Sequence, residues 1–156
     1  SGKSSIGLQI AKKLKLTFID IDKEIEKELG ISIKKIFQTK GENFFRKLEE
    51  KITLKKLKLD SVVISLGGGA FTNKLIRKEV LRSSVSFWLN WNTTVLLKRI
   101  RYSKKRPLAF NATDNQLVDL IKKRNSIYSK ALYEIKCDNL SKKQVINKVL
   151  KIYETH

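Results

Sequence analysis

The chain has 156 residues, enough for one domain with a sizeable core, and its hydrophobic content of 41% is ordinary for a globular protein. Its formal charge is +19, which favours anionic partners, either nucleic acid or small anionic substrates. One cysteine (Cys137) excludes an internal disulfide, and one histidine at position 156 argues against a structural zinc site. No apolar run is long enough to span a membrane and no signal peptide is visible, so a cytoplasmic, reducing location is expected.

Lysine accounts for 27 of the 34 basic residues and is spread along the whole chain, as an AT-rich genome would produce. Compositional drift therefore explains the charge better than a nucleic-acid-binding face, and no nucleic-acid partner is expected. Arginine is scarce. Where it persists, its planar fork is the feature a site would need.

The first five residues, Ser1-Gly2-Lys3-Ser4-Ser5, read as the back end of a phosphate-binding loop, G-x-x-x-x-G-K-[ST]. Glycine lets backbone amides close on phosphate oxygens, lysine adds a charge, and the Ser4 hydroxyl suits Mg²⁺. A helical pattern (Ile6, Ile10, Ala11, Leu14) follows at once, placing the loop at a helix N-terminus. The plainer alternative is a chance four-residue match. A preceding strand and the first loop glycine are expected upstream of residue 1.

Lys15–Ile19 is predicted as a strand ending at Asp20, followed by a helix over Ile21–Leu29. Asp20 and Asp22 then stand at a strand end, where one carboxylate can serve a metal shell and the other a substrate hydroxyl. Helix capping by Asp20 is an equally good reading. Further helices are predicted over Ile33–Gln38 and Glu42–Leu57. On the second, Glu42, Arg46 and Glu49 share a face, either as a solvated ion-pair ladder or as a grip for a carboxylate.

Val62–Leu66 reads as a parallel strand buried on both faces, followed by Gly67-Gly68-Gly69. Three glycines carry a large entropic cost, so close approach of a ligand to the backbone is the better explanation, with a tight turn as the alternative. A helix over Leu75–Arg82, a strand over Ser84–Asn90 and a helix over Thr93–Tyr102 come next. Trp88 and Trp91 flank that strand end and are expected to pack. Ser103–Asn115 is irregular, holds the sole proline, Pro107, and reads as a mobile loop. The chain closes with a helix over Asn115–Lys130, a strand over Tyr133–Asp138 and a helix over Lys142–Tyr153. Alternating strands and helices predict an α/β fold with a parallel sheet covered on both faces and ligands at the carboxyl ends of its strands.

Taken in order, S-G-K-S (1–4), F-I-D-I-D (18–22), I-F-x-x-x-G-E-x-x-F-R-x-x-E (36–49), G-G-G-A (67–70), R-P-L (106–108) and R-x-x-x-Y (124–128) resemble the shikimate kinase family over nearly the whole chain. The resemblance implies a three-layer α/β/α P-loop kinase fold in one domain (1–156). Five parallel strands are expected in the full protein, the first of them missing here, with a mobile lid at about 102–115. It implies ATP-dependent phosphorylation of the shikimate 3-hydroxyl, with Mg²⁺, by a monomer. Gly2, Lys3, Ser4 and Ser5 would hold the nucleotide phosphates, Arg106 would close over them with the lid, and Arg99 would lie near the nucleotide. Ser4 and Asp20 would serve the metal, Asp22 would act as base or orienter, and Lys3 and Arg106 would stabilise the transferring group. Arg46, Arg124 and the Gly67, Gly68 and Gly69 backbone would bind shikimate, with Glu49 holding Arg46. Four of the seven arginines thus fall on motif positions. Ala109 after Leu108 and the Asn139-Leu140-Ser141-Lys142 stretch depart from the family pattern, and no adenine contact is assigned there. The alternatives are a P-loop kinase for another hydroxy acid such as gluconate, a basic nucleic-acid-binding module, or a catalytically silent paralogue.

Overall fold

A computed structural model describes residues 2–102 and 111–156. Helix α1 (Lys3–Leu14) buries Ile6, Gly7, Ile10 and Ala11 on one stripe. It stops at Lys15, whose left-handed backbone (φ 56°) turns its N–H back onto the Ala11 and Lys12 carbonyls. Strand β1 therefore begins at Thr17 and runs to Asp20, two residues later than the apolar pattern suggests. Helix α2 (Ile21–Leu29) follows without a gap and ends on Gly30. Helix α3 (Ile33–Lys56) contains one non-helical residue, Gly41, at φ 82° and ψ 172°, so it consists of two helical segments, as the sequence pattern anticipates.

Strand β2 (Val62–Ser65) pairs in parallel with β1, Thr17 opposite Val62 and Asp20 opposite Ser65. A short 3₁₀ turn (Ala70–Thr72) leads into α4 (Lys74–Ser83). Strand β3 (Phe87–Asn90) pairs in parallel with β4 (Tyr133–Lys136). Between them lie α5 (Thr93–Tyr102) and α6 (Asp114–Tyr128), and α7 (Lys142–Glu154) closes the chain. Among the described residues the four strands thus form two parallel pairs, β1-β2 and β3-β4. Val62, Val63 and Ile64 are half-buried, where burial on both faces was expected. Each strand has a hydrogen-bonded neighbour on one side alone among the described residues, which leaves one edge of β2 open.

Three apolar clusters hold these elements. The first joins α1, β4 and α7 through Ile6, Ile10, Ile135, Cys137, Val145, Ile146 and Val149, with Val63, Phe87 and Leu89 packed against it. Burial raises the Cys137 thiol to about 11, so it behaves as a small apolar side chain. The second cluster gathers Ile19, Ile21, Ile25, Ile36, Phe45 and Ile52 under α2 and α3. Ile21, Ile25 and Ile36 are fully buried, each contributing about 1.5–3 kcal/mol. The third cluster (Leu57, Ala70, Phe71, Ile76 and Val80) fixes the chain just after the glycine run. Leu66, just before the glycines, packs against the same cluster, so the segment is held on both sides.

Candidate active site

Gly2 caps α1 with left-handed geometry (φ 74°, ψ 12°) and offers no side chain to its first-turn amides. Its carbonyl instead accepts from the Ile6 N–H at 3.0 Å and the Ser5 hydroxyl at 3.1 Å. Lys3 is the first helical residue. A twelve-residue helix whose opening amides lack a side-chain cap is a favourable place for an anion. Ser4 Oγ lies 3.5 Å from Ser65 Oγ, which places this helix end against the last residue of β2.

Asp20 is the last residue of β1 and also caps α2, its Oδ1 accepting from the Lys23 N–H at 3.3 Å. It sits opposite Ser65 in the parallel register, so Ser4, Ser65 and Asp20 are successive neighbours. The capping reading is realised, on a residue that pairs in register with Ser65 near the start of α1. Asp22 occupies the first turn of α2.

The densest arrangement surrounds the three glycines. Arg46 donates through Nη1 to Glu49 Oε2 at 2.7 Å and through Nε to Glu42 Oε1 at 3.4 Å, and its guanidinium lies 5.2 Å from the Phe45 ring centre. None of the glycines from 67 to 69 has a positive φ, so backbone torsion does not require them. Room does. A methyl group at Gly67 would collide with Glu49 Oε1 and lie 2.9 Å from Asp22 Oδ1. One at Gly69 would lie 2.5 Å from Arg46 Nη1, whereas one at Gly68 would meet only Arg124 Nη1, at 3.7 Å. The close approach inferred from sequence is made by the protein's own charged side chains at two of the three positions. Asp22, Arg46, Glu49 and Arg124 are thereby gathered on one short backbone segment.

The Glu49 residue is 2% exposed, and its Oε1 has no hydrogen-bond partner among the described residues. Burial pushes its carboxyl above the ordinary range, against the pull of Arg46, and the Asp22 charge adds to the rise. On Arg46 burial opposes the charge, but Glu49 and then Glu42 outweigh it and hold the guanidinium above its usual value. A carboxyl raised in the native state stabilises the fold fully below its unfolded pKa, and that stability is lost as pH rises through the native value. Relative to E49Q, the wild type should lose stability as pH rises above the ordinary carboxylate range, as followed by urea unfolding from ~pH 4 to ~pH 8. A relative gain with rising pH would contradict this assignment.

Two contacts around the loop were not legible in the sequence. Tyr128 Oη donates to the Gly68 carbonyl, and Asn73 Nδ2 donates to Glu50 Oε2 at 2.6 Å while its Oδ1 caps α4. The motif R-x-x-x-Y pointed at Tyr128 without giving it a role. Arg99 stands apart from this cluster, its guanidinium 4.0 Å from the Trp91 ring centre, beside a cleft of about 490 Å³ lined by Trp91, Asn92, Thr94, Val95, Asp138 and Asn139. Both tryptophans pack, Trp88 at 6.4 Å from Tyr128. Arg106, Pro107 and most of the expected lid lie outside the described residues.

The chain matches the shikimate kinase family over residues 1–154. A shikimate kinase of Persephonella marina is 35% identical over 150 residues, covering 96% of this chain and 91% of the relative. That of Bacillus subtilis is 36% identical over 159 residues, covering 96% and 81%. Among solved structures, the shikimate kinase from Acinetobacter baumannii in complex with shikimate superposes with a TM-score of 0.92 at 29% identity, over 99% of this chain and 87% of that one. The Aquifex aeolicus shikimate kinase gives 0.87 at 33% identity, over 98% and 90%. The fold is accordingly the α/β P-loop kinase fold that the family resemblance implied. With its sequence motifs, its fold and its clustered glycine-loop side chains in agreement, the chain belongs to the shikimate kinase family.

Proposed function

We propose that the protein transfers the terminal phosphoryl group of ATP to the 3-hydroxyl of shikimate. The observation that carries this is the packing of Asp22, Glu49 and Arg46 onto Gly67 and Gly69. The uncapped start of α1 is held nearby through Ser4 and Ser65. Such a site needs no covalent intermediate, because positioning and charge stabilisation are enough for phosphoryl transfer. The acceptor oxygen bonds to the terminal phosphorus as that phosphorus leaves the bridging oxygen of ADP. The hydroxyl proton passes to Asp22, which also orients the attacking oxygen.

Arg46 and Arg124 bind the acceptor carboxylate, and the Gly67–Gly69 backbone lies against its ring. Glu49 keeps Arg46 in place. Gly2, Lys3, Ser4 and Ser5 hold the phosphates, and Arg99, on the rim of the Trp91 cleft, lies toward the nucleoside. The place of Arg106 in R-P-L gives it the developing charge on the phosphoryl group. The Ser4 hydroxyl and the Asp20 carboxylate are hard oxygen donors suited to Mg²⁺. When bound, Mg²⁺ would neutralise phosphate charge. We also propose that the chain works as one domain and as a cytoplasmic monomer, with its net positive charge drawing anionic substrates. No helix of the described residues is long and apolar enough to cross a membrane.

The test is Mg²⁺-ATP turnover by the full-length protein with shikimate, with gluconate and with no acceptor. ADP release should depend on shikimate. Equal release with gluconate, or none with shikimate from folded protein, would overturn the reading.

A further inference from the structure

We propose that Tyr128 is a positioning residue for the acceptor substrate, holding the central peptide of the glycine loop in register with Arg124. The proposal rests on the functional reading above. All three glycine carbonyls accept hydrogen bonds, but from different sources. Gly67 O accepts from the Ala70 N–H at 3.1 Å, and Gly69 O accepts from the Thr72 N–H at 3.0 Å and the Thr72 hydroxyl at 2.5 Å. Those donors belong to the same turn. The Gly68 carbonyl is tied to another element, through the Tyr128 hydroxyl at the last residue of α6.

That tie fixes a direction. A trans peptide is planar, so anchoring the Gly68 carbonyl fixes the Gly69 N–H on the opposite side of the same plane, pointing away from Tyr128. Consecutive glycines have the greatest backbone freedom of any residues, and an external restraint changes their ensemble more than it would change a chain with side chains. The restraint is itself rigid. The Tyr128 ring sits 6.3 Å from Phe71 and 6.4 Å from Trp88, both tilted, and packs against the core cluster of Leu57, Ala70, Phe71, Ile76 and Val80. Arg124 lies one turn earlier on the same helix, with Nη1 next to Gly68. Helix α6 therefore sets both the loop peptide and one arginine of the acceptor site with a single rigid body.

Tyr128→Phe in the full-length protein keeps the ring and removes the hydroxyl. The KM for shikimate should rise about five-fold, the worth of one neutral hydrogen bond, with kcat, the KM for ATP and the melting temperature near wild type. Tyr128→Leu, which also removes the ring, should lower the melting temperature as well. If Y128F matches wild type in shikimate KM while Y128L fails, ring packing is the whole role of Tyr128 and the proposal is overturned. Equal rises in the KM for shikimate and for ATP would overturn it too, since the loss would then be general. Absence of shikimate turnover in the wild type would remove both this proposal and the function it rests on, whereas a wild-type Y128F removes this proposal alone.

Discussion

Exchange of Asp22 for asparagine is expected to lower kcat for shikimate phosphorylation by ~10²–10⁴-fold, the usual contribution of a positioned acid–base group. Asparagine keeps the shape and one acceptor oxygen, so the acceptor can still bind, but it can neither take the hydroxyl proton nor present a charge to it. ATP binding should survive, because the residues proposed to hold the phosphates lie at the start of α1 while Asp22 lies in the first turn of α2. Folding should survive as well. The Asp22 charge helps to raise the carboxyl of Glu49, and its removal relieves a repulsion at a buried site. The measurements are steady-state ADP release and nucleotide binding by titration. Turnover at the wild-type level would remove Asp22 from the mechanism.

The second large effect concerns room. In a series of single alanines across the glycine loop, Gly69→Ala should raise the KM for shikimate by about 10–100-fold. The added methyl would lie 2.5–2.8 Å from three atoms of the Arg46 guanidinium, closer than contact allows. That guanidinium is the end of a flexible side chain and can swing aside, so the protein folds, but the swing removes the fork from the place proposed for the acceptor carboxylate. Gly67→Ala should reduce kcat and stability together, because Glu49 and Asp22 both have to move and Glu49 is buried. Gly68→Ala should leave the melting temperature nearly unchanged, its nearest neighbour being Arg124 at an ordinary 3.7 Å. Kinetics and melting curves for the three variants check the order. A wild-type KM in the Gly69 variant, or a Gly68 variant less stable than its neighbours, would refute the packing account.

These residues also show what a sequence can and cannot display. Helix α2 was legible to the residue because Asp20 caps its start and Gly30 ends it, both local signals. The start of β1 was misplaced because the apolar pattern runs on through Lys15 and Leu16, while the hydrogen bonds of those residues return to α1. The glycine run was recognised as a place of close approach. What approaches was not legible, since Glu49, Arg46 and Asp22 come from other elements. Tyr128 is sixty residues from the carbonyl it holds, and no spacing rule links the two. For Asp20 the cap and the strand-end position are not rivals; one oxygen serves the helix while the residue pairs with Ser65 in the parallel register.

Gly41 decides more than the bend in α3. At 100° per residue, Ile36 and Phe45, nine positions apart, would stand about 180° from each other on an unbroken helix. Yet both are buried in the same cluster, and Phe37 meets Phe45 at 4.8 Å. The break at φ 82°, in a backbone region that other residues scarcely enter, resets the rotational phase of the second segment. Phe45, Glu49, Ile52 and Thr53 then keep one inward stripe. Arg46, one step around from Phe45, emerges beside Gly69. The azimuth of the arginine that meets the glycine loop is thus set five residues upstream, by a residue with no side chain.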